Sequence, residues 1–375
     1  MTPPRVLLLH NRYRAEGGEE RVVDQLESLL GARGHAVARF ERDSERAGRA
    51  AAARGLLRGG LDEHEVAAAV RAHRADVVHA HNVHPLLGWR ALAAARAAGA
   101  RVVLHLHNYR LFCAIGIAFR DGAPCYLCQG RDTRPGVRHR CRGSYAEGVV
   151  YAAGLARQQP RLLAEPDALV AVSEALAARL AQLGVPRERL TVVPNAAHVV
   201  ADDSCAAAGA YALAAGRLVA EKGFDVAVHA ARAAHVPLRI AGTGPDEQRL
   251  RALAADGDVT FLGQLSPDDL TRERRGAAVM LAPSRSDDSC PMSVVEALAD
   301  GLPVLGSTRG GIPELVGPDA ALAPADAPAW AGALSALWSD PARRAAAGAD
   351  ALARARARHS PDAWYEALMA VYRGR

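Results

Sequence analysis

Lysine is almost missing from this chain of 375 residues. Of its 46 Lys and Arg residues, only Lys222 is a lysine. Arginine therefore serves wherever a general surface cation is wanted, and the usual background of solubilising lysines is gone. An ammonium is a compact point charge on a flexible stem and guanidinium a planar fork, so the two are not equivalent at a tight anion site. Long apolar runs are missing too, and no window approaches the roughly 18 apolar residues of a membrane span. The N-terminus runs from Met1-Thr2-Pro3-Pro4 directly into an apolar strand pattern, without the charged and apolar regions of a secretory leader. A cytoplasmic protein is expected, and its six cysteines then argue against structural disulfides. Aromatics make up only 5% of the chain, and the densest basic stretch, residues 39–58, contains just Phe40 among them. Nucleic acid is not expected as a partner. The net charge of +5 suits small anions, or peripheral contact with an anionic membrane surface.

What is present is an alternation of short apolar runs with helix-like stretches. Strand patterns fall at 6–9, 36–40, 77–79, 102–106, 169–172 and 191–193, then at 211–214, 238–241, 259–262, 279–282 and 303–306. Several are nearly continuous in Val, Leu, Ile and Ala, as in strands buried on both faces of a parallel sheet. Ser173 reads as the hydroxyl N-cap of a helix that stops at Gly184, with Pro186 just beyond. The fold class is α/β with parallel sheets. Pattern lapses between Asn195 and Gly209. The expected division is therefore 1–195, 196–358 and a terminal helix, 359–375, whose Trp364, Leu368, Val371 and Tyr372 have helical spacing. Ligands of doubly wound sheets bind beyond the carboxyl ends of the strands, so both halves can face one substrate across a cleft.

The most informative segment is 283–306. A strand ends near Pro283, a polar loop follows, and a helix begins near Pro291, a residue tolerated in a first turn. The helix stops at Gly301. At its start the amides of Met292 and Ser293 are free, which favours a phosphate. Asp288 in the loop and Glu296 in the helix can accept hydrogen bonds from the hydroxyls of a polyol.

Asp288 and Glu296, followed by Ala-Leu-Ala-Asp-Gly-Leu-Pro-Val, resemble the acidic-x7-Glu signature of the family 4 retaining glycosyltransferases. Further resemblances occur in family order. They are Gly17-Gly18-Glu19, Gly34-His35, His79-Ala-His-Asn82, Val103-Leu-His-Leu-His-Asn-Tyr109, Val192-Val-Pro-Asn195, Gly216-Arg217, Lys222-Gly223, Gly242-Thr-Gly244 and Gly310-Gly-Ile-Pro-Glu314. The resemblance implies the GT-B fold, two Rossmann-like domains facing a cleft. It also implies transfer of a sugar, with retention, from a nucleotide-diphosphate donor carrying UDP, GDP or dTDP. The acceptor would be a hydroxyl of a natural product, glycolipid or polysaccharide precursor. Arg217 and Lys222 would neutralise the leaving diphosphate, the Met292 and Ser293 amides would cap it, and no catalytic metal is expected. Glu296 would hold the ribose and Asp288 the donor sugar, with His107 contacting that sugar from the acceptor side. Gly17, Gly18, Asn195, Gly242 and Gly244 complete the donor-binding set.

Two departures bear on sugar recognition. Asp288 is a methylene shorter than the glutamate usual there, and Pro291 has no N–H to offer where glycine is common. An insert over 110–144 also carries Cys113, Cys125, Cys128 and Cys141. Cys125 and Cys128 have the spacing of a zinc half-site, which gives a structural Zn²⁺ as the expectation, with His139 able to replace one thiolate. Two other readings use the same clamp, a sugar-nucleotide epimerase of the GT-B fold and a non-catalytic nucleotide-sugar binder.

Overall fold

A computed structural model describes residues 3–12 and 17–374. It divides by contacts into two compact units. One holds residues 1–118, 126–193 and 365–375, and the other holds 119–125 and 194–364. Each is built on its own six-stranded sheet.

In the first unit the strands are β1 (Val6–Arg12), β2 (Val37–Asp43), β3 (Val77–Ala80) and β4 (Arg101–Leu106). After a two-strand hairpin of β5 (Phe119–Arg120) and β6 (Ala123–Pro124), β7 (Ala168–Ala171) and β8 (Leu190–Val192) complete the sheet. The order is β2-β1-β3-β4-β7-β8 and every pairing is parallel. Val6, Leu8, Leu9, Val78, Val102 and Val103 are fully buried. This explains the unbroken apolar runs, since helices cover both faces of such a sheet. Ser173 caps the helix Glu174–Gln182 by accepting from the Leu176 amide at 3.1 Å. The end of the last helix, Pro361–Arg373, belongs to this unit from Tyr365 onward. There Tyr372 meets His79, Tyr365 meets His35, and the Val371 carbonyl accepts from Arg101.

The second sheet contains β9 (Ala212–Ala215), β10 (Leu238–Ala241), β11 (Val259–Gly263), β12 (Val279–Ala282), β13 (Val304–Ser307) and β14 (Ala321–Leu322). Its order is β11-β10-β9-β12-β13-β14, again wholly parallel. The order reverses beside β9, and the β9 and β12 strand ends form the switch point where such sheets bind ligands. Trp330, Leu334, Phe224 and Val228 pack with the β9, β10 and β12 side chains in one core. No helix among the described residues is long and apolar enough to cross a membrane.

The turns after β9 and β10 are pressed together. Gly242 has φ +127°, and a Cβ there would lie 1.9 Å from the Gly216 carbonyl oxygen, while one on Gly244 would lie 2.3 Å from that of Leu218. Only glycine allows this approach. Gly242→Ala should therefore lower stability by about 1–3 kcal/mol, read as a shift of the urea midpoint of the second unit.

Candidate functional site

The segment after β9 carries Lys222 in a single 3₁₀ turn, Ala220–Lys222, ended by Gly223 at φ +68°. A Cβ on Gly223 would fall 2.2 Å from the Pro283 carbonyl oxygen, so this turn sits directly on the end of β12. The loop leaving β12 is tied down as well. The Arg285 amide donates to the Glu221 carbonyl at 2.8 Å, and the Arg285 guanidinium grips Asp225 through two bonds of 2.7 Å. That pair draws the Asp225 carboxyl below its ordinary value against the opposing effect of burial.

Between these segments lies an open pocket of about 370 Å³. Lys222, Asp288, Ser284, Pro291 and Ser293 line it above the ends of β9 and β12. Lys222 Nζ donates to Asp288 Oδ2 at 2.7 Å, and both side chains are about four-fifths buried (24% and 20% exposed). The Asp288 backbone is fixed in turn by Gly310, whose Cβ would strike the Asp288 carbonyl oxygen at 2.2 Å, and by the Gly311 amide at 2.7 Å. The helix Met292–Ala299 starts at Pro291, and the first amides in its ladder are Val294 and Val295, both donating to the Pro291 carbonyl. The Met292 and Ser293 amides lie outside that ladder, as expected at a helix start.

The structure thus brings together Lys222, Asp288 and Ser293 at one pocket. Other expected site residues lie elsewhere within the second unit. Arg217 is exposed and is not part of the pocket wall. Glu296 accepts from Arg274 Nη1 at 3.0 Å, and the same buried guanidinium also bonds Asp300 and Thr271. Asn195 is buried, donating to the Cys290 carbonyl and accepting from His359 on its own carbonyl. The Lys222–Asp288 pair was not foreseen from the sequence, which gave the two residues separate tasks. Nor was Arg274, 22 residues before Glu296 and marked by no motif.

In the first unit Gly17 N-caps the helix Gly18–Ala32 and donates its amide to Glu20 at 2.9 Å. A second pocket, about 330 Å³, is lined by Glu19, His81, Asn82, His84, His105, His107, Asn108 and Arg110. His107 is only part of a larger array. Its Nε2 meets His81 Nδ1 at 2.9 Å, and His79 Nε2 meets His105 Nδ1 at 3.2 Å. The two pairs stack on one another, with ring centroids of 4.6 Å for His79 and His81 and 4.3 Å for His105 and His107. The signal in the sequence is the i, i+2 spacing of the histidines, which puts 79 and 81, and 105 and 107, on one face. Burial holds His79, His84 and His107 neutral down to about pH 3 and depresses His81 and His105 strongly.

The cysteines of the insert are all free thiols. Cys113, Cys128 and Cys141 belong to the first unit and Cys125 is grouped with the second. Among the described residues the one group of three or more metal-ligating atoms is His79, His81 and His105, not the thiols.

Two such parallel-sheet units, with a phosphate-ready helix start and a cation beyond the switch point of the second sheet, define the GT-B class. Residues 16–199 match the model for Glycosyltransferase Family 4, and residues 209–340 match that for Glycosyl transferases group 1. The chain belongs to the family 4 glycosyltransferases. The amylovoran biosynthesis glycosyltransferase AmsK of Erwinia amylovora is 30% identical over 179 residues, 43% of this chain and 44% of that protein. The GDP-mannose-dependent monoacylated alpha-(1-6)-phosphatidylinositol monomannoside mannosyltransferase of Corynebacterium glutamicum is 35% identical over 148 residues, 36% of this chain and 39% of that protein. The match thus spans less than half the length of these curated relatives. Two solved structures share the fold over nearly the full chain. HepE of Anabaena in complex with UDP has a TM-score of 0.63 at 17% identity, covering 99% of this chain and 100% of its own. Sucrose-phosphate synthase of Thermosynechococcus elongatus has a TM-score of 0.68 at 19% identity, covering 99% and 98%.

Buried neutral histidines make stability depend on pH. His84 stays neutral to about pH 3 because of burial, and burial also lowers His359 below 6.5. Below 6.5 the unfolded chain binds protons that the folded one refuses, so unfolding takes up protons and stability falls as pH falls. Thermal melts from pH 8 down to 4 should show a steady Tm above 7 and a progressive drop below about 6.5. A Tm that rises on acidification would contradict the assignment.

Proposed function

We propose that the chain transfers a sugar from a nucleotide-diphosphate sugar to a hydroxyl acceptor, with retention at the anomeric carbon. The observation that carries this reading is the position of the one lysine, bound to Asp288 in a pocket also lined by Ser293 at the start of a helix. A leaving diphosphate gains negative charge as the glycosidic bond breaks, so prealigned cationic and amide donors aimed at it lower the barrier. The ammonium and the Met292 and Ser293 amides are such donors, and Arg217, exposed on the loop after β9, would join them on the bound diphosphate. Without a donor, Asp288 satisfies Lys222. When the diphosphate arrives, Lys222 turns to phosphate oxygens and Asp288 is freed to accept hydrogen bonds from sugar hydroxyls. Glu296, held by Arg274, is the carboxylate for the ribose. Gly216, Gly242 and Gly244 shape the turns beside it. On the acceptor side His107, with Gly17 and Gly18, serves the reaction. Charge neutralisation by protein groups makes a catalytic divalent ion unnecessary.

The relatives support the donor class. HepE has been solved with UDP and with UDP-glucose, and the Corynebacterium relative is named for GDP-mannose. An epimerase would place several acid–base carboxylates around the sugar, whereas Asp288 is the one carboxylate among the residues lining the pocket. The acceptor is a hydroxyl of a natural product, glycolipid or polysaccharide precursor.

The test is a panel of UDP-, GDP- and dTDP-sugars, followed by NMR of the released or transferred sugar. Retention with one nucleotide class is expected, and inversion or C2 epimerisation would overturn the reading. With the accepted donor, Lys222→Ala should reduce kcat by about 10²–10³-fold, as for loss of one transition-state donor, while the far-ultraviolet spectrum is unchanged. Lys222→Arg should also be impaired, because a planar fork does not reproduce a point charge. Full activity in Lys222→Ala would remove the clamp from the mechanism.

A further inference from the structure

The histidine array in the first unit contains more than the proposed chemistry uses. We propose that His79, His81 and His105 bind one first-row divalent cation of the zinc type, at a site that uses none of the donor-pocket residues and none of the insert cysteines.

One nitrogen from each of the three lies within 4.8 Å of the other two, and all three residues are at most 2% exposed. The closest pair, His79 Nε2 and His105 Nδ1, is 3.2 Å apart. Two nitrogens bound at about 2.0–2.1 Å to a tetrahedral ion stand about 3.3 Å apart, so this pair already has the separation of two ligands. His81 brings the third imidazole. Its Nδ1 is taken by His107, while its Nε2 is buried without a hydrogen-bond partner, as are the Nε2 atoms of His105 and His84. Buried polar atoms are nearly always satisfied, and the unpartnered Nε2 of His81 beside the His79–His105 pair calls for a ligand.

The surroundings fit a metal in two further ways. A ligating histidine normally engages its other ring nitrogen with a fixed partner, which sets tautomer and orientation. His79 Nδ1 has such a partner in the buried Tyr372 hydroxyl at 2.8 Å, and His81 has one in His107 at 2.9 Å. Imidazoles must be neutral to bind metal, and burial keeps these neutral. His81 and His105 also line the pocket with Asn82 and Asn108, which supplies a path of entry and room for a water as fourth ligand. An all-imidazole set selects zinc, copper or nickel over magnesium or calcium, which prefer oxygen. Ligation through His81 Nε2 leaves its Nδ1–H to donate to His107 Nε2. The cation would then set the tautomer of His107, whose remaining nitrogen carries the proton.

The experiment uses the full chain, stripped with chelator and titrated with Co²⁺. One equivalent should give the visible absorption of a tetrahedral ion without the near-ultraviolet thiolate band of cysteine ligation. The double variant Cys113→Ser, Cys128→Ser should bind unchanged. Tyr372→Phe should weaken binding by about 10-fold or more through loss of the ligand's partner, and His105→Ala should abolish it. In a parallel measurement that needs no variant, Zn²⁺ should raise the Tm of the stripped wild-type chain. No bound Co²⁺, a thiolate band, an unshifted Tm, or binding that survives His105→Ala would each overturn the site.

Discussion

The candidate donor site depends on one ion pair. Lys222 and Asp288 are mostly buried and 2.7 Å apart, and Ser286 Oγ also donates to Asp288 at 3.3 Å. Removing a partner from a buried pair leaves an uncompensated charge, which costs far more than the pair itself contributes. Such a pair is poised for exchange. A diphosphate can take the ammonium because it supplies more negative charge than the carboxylate it replaces, and the released carboxylate becomes an acceptor for hydroxyls. In this arrangement one interaction both keeps the apo site stable and prepares it for the donor.

The backbone holds that pair through close contacts that admit no side chain. Gly223 sets the Lys222 turn on the end of β12, and Gly310 sets the following loop on Asp288. Gly242 packs on Gly216, which fixes the exit of β9. The parallel sheet places these turns side by side because β9 and β12 are neighbours although 66 residues separate Lys222 from Asp288. Sheet order therefore determines which charges meet.

Much of this was legible in the sequence, and the reasons are specific. Strands at 238–241 and 279–282 were read to the residue because their apolar runs end sharply at glycine and proline. The helix from Met292 was read because Pro291 and Gly301 mark its ends. The hairpin β5–β6 and the short β14 were not read, since two-residue strands carry no periodicity. Pairings between distant charges, Lys222 with Asp288 and Arg274 with Glu296, are set by tertiary structure and leave no local trace. The histidine array lies between these cases. Both His-bearing strand ends were visible, but only His107 received a role, because the head-to-head pairing requires β3 and β4 to be adjacent in register.

The near absence of lysine offers the most direct measurement. Labelling the chain with ¹⁵Nζ-lysine gives a single side-chain ammonium signal, that of Lys222. Titration with the nucleoside diphosphate of the accepted donor should move that signal as the ammonium leaves Asp288 for phosphate, with saturation at one equivalent. In Asp288→Asn the starting position should differ while the phosphate-bound position converges on that of the wild type. A signal that stays in place while the nucleotide binds would contradict the account.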